Sequence, residues 1–321
     1  MNKIDQGKYI GLRPDVEIKI TQTQEAKAFL DNKEIAEIEL DSESHPVFLA
    51  VLPLLNGTRT VASIITALQQ TKIAEEATIS CLDFLLKSGF VYQFSRLEDS
   101  YQAANYAWRT NDPQEILDRL AKVKVIVQGQ ENFCDRIAEG FTKTGIESVK
   151  ILPNSANETE PHLANISPEW EAWASQADLI ILFGEPWQQV LAINAWCVKN
   201  QKPLIAGWWK NFTVTFGPVL VPGVTACQAC IHERQGNRPY PDITPSDSQA
   251  GSVPMVLAAA NFLAGLAIEF LSGAGLSRAL TSIHEIDLRR ASFASYPALK
   301  NPRCRVCSRL KTWPEGAVID V

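Results

Sequence analysis

No stretch of the sequence marks export, membrane insertion or a nucleic-acid footprint. The first residues, MNKIDQGKYIGLRPD, lack the apolar core of a signal peptide. The longest apolar run, Val253 to Leu271, is interrupted by Asn261 and Glu269. Lys and Arg number 30 against 36 Asp and Glu, the net charge is −6, and no basic cluster stands out. A chain of that balance has no surface shaped by charge for a phosphate backbone, so neither nucleic acid nor a membrane is expected as a partner. A cytoplasmic location with reduced cysteines is the expectation that follows.

A catalytic constellation is also missing. The four histidines, His45, His162, His232 and His284, are scattered, and the carboxylates form no clear pair. Where a nucleotide-binding βα turn would carry GxGxxG, the chain reads Gly129-Gln130-Glu131-Asn132-Phe133-Cys134. One glycine followed closely by a carboxylate does not cradle phosphates, because the missing glycines keep the backbone away and Glu131 repels the charge. No nucleotide cofactor is expected.

What is present begins with bulk. A chain of 321 residues, 46% hydrophobic and 21% charged, is long enough for two packed domains. In the first, Val16 to Ile20, Ala26 to Leu30 and Glu34 to Leu40 read as short strands. Val47, Leu49, Val51, Leu54 and Leu55 then adopt helical spacing up to Asn56-Gly57, a C-cap followed by a turn. Thr60 is placed to cap a helix over Val61 to Gln69, and a third helix runs from Glu75 to Lys87. Three strands and three helices outline a winged helix-turn-helix over residues 1–95. Residues 96–118 are polar and read as a connector.

The third helix, EEATISCLDFLLK, argues against DNA as the ligand of that fold, since three carboxylates against one lysine repel phosphate. Ile79, Leu82, Leu85, Leu86 and Phe90 are core by their spacing. A second reading places a groove between this helix, at Thr78, Cys81, Leu82 and Leu85, and the third strand, at Glu34, Ile35, Ala36, Glu37, Ile38, Glu39 and Leu40. An extended peptide added to that strand would pair its backbone with the edge and set apolar side chains in the groove.

The second domain, 119–321, alternates strand and helix. Lys122 to Val127, a helix over 132–143, Ser148 to Leu152, Leu179 to Phe183, a helix over 186–200 and Pro203 to Ala206 follow in turn. That order predicts an α/β domain with a doubly wound, mostly parallel sheet.

Four of the seven cysteines form two CxxC pairs, Cys227/Cys230 and Cys304/Cys307, far apart in the chain. Both sulfurs of a CxxC turn can face one ion, and two turns complete a closed tetrahedral set of four thiolates, the ligand type and number of structural zinc. Disulfides suit a secreted chain, and a redox CxxC normally occurs once at the start of a helix after a strand. His232 follows Cys230 closely but has no place in a shell that four sulfurs already fill.

Around these pairs the residues become familiar. Thr213 to Gly223, then Ala226-Cys227-Gln228-Ala229-Cys230, the helix Gly251 to Leu271, and Cys304-Arg305-Val306-Cys307 resemble the zinc frame of ubiquitin-activating-enzyme-like proteins of the ThiF/MoeB kind. Those enzymes adenylate a C-terminal glycine; this chain departs from them at the glycine loop and at Phe183-Gly184-Glu185-Pro186, where they carry an Asp-Asn pair. Leu12 to Ile18, Leu54 to Val61 and Lys87 to Val91 resemble the PqqD-like peptide-recognition element of ribosomal-peptide modification pathways. Together the halves resemble the leader-peptide-binding component of thiazole/oxazole (bacteriocin) cyclodehydratases. The resemblance implies binding of a precursor leader, presentation to a YcaO-type enzyme that forms azolines with ATP, a structural zinc ion, a homodimer and no catalysis by this chain alone. An active adenylating enzyme is the alternative, and a winged-helix transcriptional regulator a third.

Overall fold

The computed structural model describes residues 4–20, 25–30, 33–107, 109–110, 112–153, 166–210, 212–234, 253–273, 277–287 and 289–308. His162 and Asn111 lie outside them. The chain divides into two compact units, residues 1–118 and 119–321.

The first unit contains β1 (Tyr9–Leu12), β2 (Val16–Ile20), β3 (Glu25–Leu30), β4 (Lys33–Glu39), α1 (Ser44–Val51), β5 (Asn56–Thr60), α2 (Val61–Gln69), α3 (Glu75–Lys87), β6 (Val91–Phe94), α4 (Ser100–Tyr106) and the start of α5 (Gln114–Leu120). The three strands expected from alternation form one antiparallel sheet, ordered β2-β3-β4. Period-2 patterning explains its faces. Val16, Ala26, Ala28 and Ile38 are buried, and Ile18, Ile20 and Ala36 pack against the same apolar cluster, while Glu17, Lys27 and Glu37 look outward. The register of β3 and β4 slips between Ala28 and Phe29, which sets Phe29 opposite Glu34.

Of a second sheet, β5-β1-β6, the sequence marks only an extended run at Phe90 to Tyr92, where β6 begins. Asn56-Gly57 opens β5 instead of capping a helix; α1 ends at Val51 and a 3-10 turn spans Leu52–Leu54. The helical spacing of Leu54 and Leu55 arises because both pack toward the core from that turn and its exit. The residues of β1, Tyr-Ile-Gly-Leu, do not alternate, and Gly11 is needed because a Cβ there would lie 2.9 Å from the Tyr92 hydroxyl. Thr60 caps α2 as expected, its Oγ1 accepting from the Ser63 N–H at 3.2 Å. The stretch read as a polar connector carries α4 and α5. Ala103, Tyr106, Ala107, Ile116 and Leu117 are buried there, so the polar majority is only the exposed face.

The second unit contains β7 (Lys124–Gly129), α6 (Glu131–Lys143), β8 (Ser148–Pro153), α7 (Pro168–Ala174), β9 (Leu179–Phe183), α8 (Trp187–Lys199), β10 (Leu204–Lys210), β11 (Thr213–Phe216), α9 (Gln228–Arg234), α10 (Val253–Leu271), β12 (Ser282–Asp287) and β13 (Ser292–Pro297). They build one seven-stranded sheet in the order β13-β12-β11-β10-β9-β7-β8. Strands β8, β7, β9 and β10 are parallel, as the alternation of strand and helix predicts. Strands β11, β12 and β13 continue it antiparallel. Every residue of β9 is buried, which its unbroken apolar run requires. Helix α10 packs against α6, where a Cβ on Gly140 would stand 3.7 Å from that of Ala264. Among the described residues no helix is long and apolar enough to cross a membrane.

Candidate metal centre and open strand edge

The two CxxC pairs come together in the second unit. Cys227 stands just before α9 and Cys230 lies in its first turn, with the Cys230 N–H donating to the Cys227 carbonyl at 2.9 Å. Thr225 shapes the approach: its Oγ1 accepts from the Val221 N–H and donates to the Val219 carbonyl, both at 2.7 Å. The second pair follows β13 and is latched to the first. Lys300 Nζ donates to the Gly223 carbonyl at 2.7 Å, Asn301 Nδ2 to Glu233 at 2.6 Å, and the Asn301 N–H to Cys230 Sγ at 3.3 Å.

All four cysteines are buried, and their sulfurs lie within 4.8 Å of one another. Cys227 to Cys230 and Cys227 to Cys304 measure 3.7 Å, and Cys230 to Cys307 measures 3.3 Å. These are not bonded sulfurs, which stand about 2.05 Å apart. A tetrahedral ion with bonds of about 2.3 Å to sulfur needs sulfur pairs about 3.8 Å apart, and the cluster fits that requirement. Hydrogen bonds from Cys227 and Cys307 draw Cys230 toward the thiolate, and hydrogen bonding with Cys230 and Cys307, followed by burial, holds the Cys227 thiol up. The start of α9 favours negative charge at the same place. The four cysteines can therefore hold a metal ion. His232 is not in the sulfur cluster; its ring lies 5.0 Å from that of Trp187.

The crevice that would hold a nucleotide in a sheet of this order lies beyond the carboxyl ends of β7 and β9, where the order reverses. Gly129 ends β7 with φ of 151°, and a Cβ there would stand 2.2 Å from the Phe183 carbonyl oxygen. The glycine is thus explained by close approach of two strands. Phe133, in the first turn of α6, stacks on Phe183 at 3.8 Å with planes 9° apart, and Trp209 follows at 4.9 Å from Phe183. Phe133 and Phe183 are wholly buried. Glu131, exposed in the first turn of α6, adds negative charge near the helix N-terminus, where a phosphate would bring the same sign.

In the first unit, β4 pairs with β3 on one side, and among the described residues no strand pairs with its other side. The residues expected along the groove separate by burial. Ala36, Ile38 and Leu40 face the core, whereas Glu34, Glu37 and Glu39 are exposed along the strand. Ile35 is exposed near the slip in register. Thr78, Leu82 and Leu85 have no exposed surface, so they belong to the core, in agreement with the core spacing of the helix. Cys81 alone of the α3 set is half-buried, its thiol pushed up to about 12 by burial. Ala77 and Phe84, missed in the sequence, complete an accessible apolar stripe with Cys81 at spacings of four and three, the signal that could have located it.

Comparison with known proteins gives one family match: the model of the ThiF family covers residues 144–306, half of the chain. A solved structure of the heterocyclase TruD is similar over 94% of this chain and 43% of its own, with 17% identity and a TM-score of 0.66. A heterocyclase solved with substrate and cofactor is similar over 94% of this chain and 39% of its own, with 16% identity and a TM-score of 0.65. The chain thus spans less than half the length of these heterocyclases. MccB of E. coli, solved with AMPCPP and selenomethionine MccA, is similar over 93% of this chain and 99% of its own, with 19% identity and a TM-score of 0.59. At such identities the likeness establishes a common fold. No curated protein matches the chain.

Proposed function

The chain belongs to the ThiF family, and from that premise we propose that it is a non-catalytic, leader-peptide-binding component of a thiazole/oxazole-forming peptide modification system. The observations that support the reading are the open edge of β4 and a partly exposed apolar stripe on α3, both belonging to elements packed on the same apolar cluster. The first unit acts as a PqqD-like winged helix. A leader lies as a fourth strand along Glu34 to Leu40, its amides pairing with the unpaired backbone of β4 while alternate side chains reach Ala77, Cys81 and Phe84. Backbone bonds supply affinity and the stripe supplies selection. The core peptide that follows is presented to a YcaO-type cyclodehydratase, which uses ATP to close Cys, Ser or Thr side chains onto the preceding amides as azolines. This chain supplies no group to that step.

Three features support the division of labour. MccB has been solved with MccA, and a heterocyclase with its substrate, so folds like this one are found with such ligands. The stacked Phe133, Phe183 and Trp209 and the carboxylate of Glu131 oppose an adenylating role for the second unit. The four cysteines take zinc, the divalent ion suited to a closed, four-thiolate tetrahedral site, and it holds the frame together with no open position for chemistry. Reduced thiols of this kind suit the cytoplasm.

Leader binding is tested with the full chain, by calorimetry with a precursor leader and with Cys81→Arg. A guanidinium at this half-buried position of the stripe obstructs inward side chains, and affinity is expected to fall at least tenfold with little change in melting temperature. Unchanged affinity would remove α3 from the site. Leu85→Arg is not a substitute, because it buries an unpaired charge in the core.

A homodimer is part of the same proposal. Strand β13 ends the sheet with five of its six residues exposed, and it bears no charge from Ser292 to Pro297. Exposed Phe293 stacks on exposed Phe262 of α10 at 5.6 Å, with Tyr296 and Leu299 exposed nearby in sequence. An uncharged strand edge flanked by aromatic side chains suits pairing with a second copy. Light scattering should find a dimer at micromolar concentration and a monomer for Phe293→Glu; a monomeric wild type removes the dimer from the proposal.

A further inference from the structure

The outer face of β4 carries a charge pattern that an added strand must meet. Glu34 and Glu37 share a single cation, Lys27 of β3, at 3.3 and 3.5 Å. Lys19, the other described lysine on that side of the sheet, is held by Glu17 at 3.1 Å and lies over the Phe29 ring at 4.8 Å. Glu39 is exposed and makes no ion pair among the described residues. The free side of the strand therefore presents Glu39, which no described cation pairs, and Glu37, whose one cation, Lys27, is shared with Glu34. They are two residues apart, so both point the same way, about 7 Å from one another.

Strand addition fixes what faces them. Side chains directly opposite on neighbouring strands stand about 5 Å apart and on the same face of the sheet, and opposite charges there stabilise the pair while like charges oppose it. The inward face next to the same residues is apolar, with Ala36, Ile38 and Leu40 in or against the core cluster. We infer that the peptide taken by the β4 edge carries Lys or Arg at two positions, i and i+2, opposite Glu37 and Glu39, alternating with apolar residues that turn toward α3. This specificity rests on the strand-addition reading proposed above and adds the charge and register of its ligand. The effect is about fivefold at most for each basic residue, it weakens as salt is raised, and it excludes leaders with acidic residues in that register.

The test is selection from a displayed library of random 12-residue peptides on the full-length chain at low salt. Two variants run beside the wild type: Glu39→Lys, which leaves both partners of Lys27 in place, and Glu37→Gln/Glu39→Gln. The wild type should enrich apolar residues alternating with Lys or Arg at i and i+2. Glu39→Lys should enrich an acidic residue at one of those positions, and the Gln pair should lose the charge preference while keeping the apolar alternation. Alternating peptides without a basic preference, or with the same preference in all three proteins, overturn the charge inference and leave strand addition standing. Failure of any protein to enrich alternating peptides overturns both.

Discussion

Cys230→Ser is expected to abolish the cooperative folding of the second unit and to leave the protein without bound metal. A structural zinc ion on four thiolates contributes roughly 10–16 kcal/mol of apparent binding energy at neutral pH, whereas whole domains are stable by about 5–15 kcal/mol. The hydrogen bonds that latch residues 300 and 301 to 223, 230 and 233 cannot replace the ion, since each contributes about 1 kcal/mol. Cys230 is the ligand of choice for the test, because its sulfur meets those of Cys227 and Cys307 and accepts the Asn301 N–H. Wild-type protein should contain one equivalent of zinc by mass spectrometry and show a sharp unfolding transition in tryptophan fluorescence, which Trp170, Trp173, Trp187, Trp196, Trp208 and Trp209 report from the second unit. The variant, and the wild type after prolonged chelation, should show neither. A variant that melts within a few degrees of the wild type would falsify the structural role of the metal.

The cluster of four cysteines was legible in the sequence because its signal is chemical and local: two CxxC turns name the sulfur atoms that could hold an ion whatever the fold around them. The parallel half of the sheet was legible because a buried strand such as Leu179 to Phe183 must be apolar throughout. Strands β11 to β13 were not, since Ser282 to Asp287 and Ser292 to Pro297 mix apolar and polar residues at the edge of the sheet, where only neighbours decide the pairing. The same holds for β1, a four-residue strand that exists because β5 and β6 flank it. On α3 the sequence offered both a core and a groove for Leu82 and Leu85, and periodicity alone could not choose. Burial chooses the core and moves the accessible stripe round the helix to Ala77, Cys81 and Phe84. The missing glycines of the loop were visible, but the ring stack was not. Phe133, Phe183 and Trp209 are far apart in sequence and meet only because α6, β9 and β10 converge.

That stack makes the second large prediction: Phe183→Ala is expected to destabilise the second unit by about 3–5 kcal/mol, the range for removing a fully buried phenylalanine. It loses two ring contacts, with Phe133 at 3.8 Å and Trp209 at 4.9 Å, and leaves a cavity in their place. Phe183→Leu keeps most of the volume and should cost much less, which separates the cavity from the stacking. Urea unfolding of the two variants, followed by fluorescence, measures both. The functional side of the prediction is that neither the wild type nor Phe183→Ala binds ATP or catalyses ATP–pyrophosphate exchange. Removing one ring does not rebuild a phosphate site, because Glu131 still brings its charge to the first turn of α6 and Gly129 is committed to its approach on β9. Micromolar ATP binding by the wild type would show that the rings do not exclude the nucleotide and would return the chain to the adenylating enzymes of its family. ATP binding gained only in Phe183→Ala would instead identify the stack as the barrier, with the phosphate-binding groups still in place beneath it.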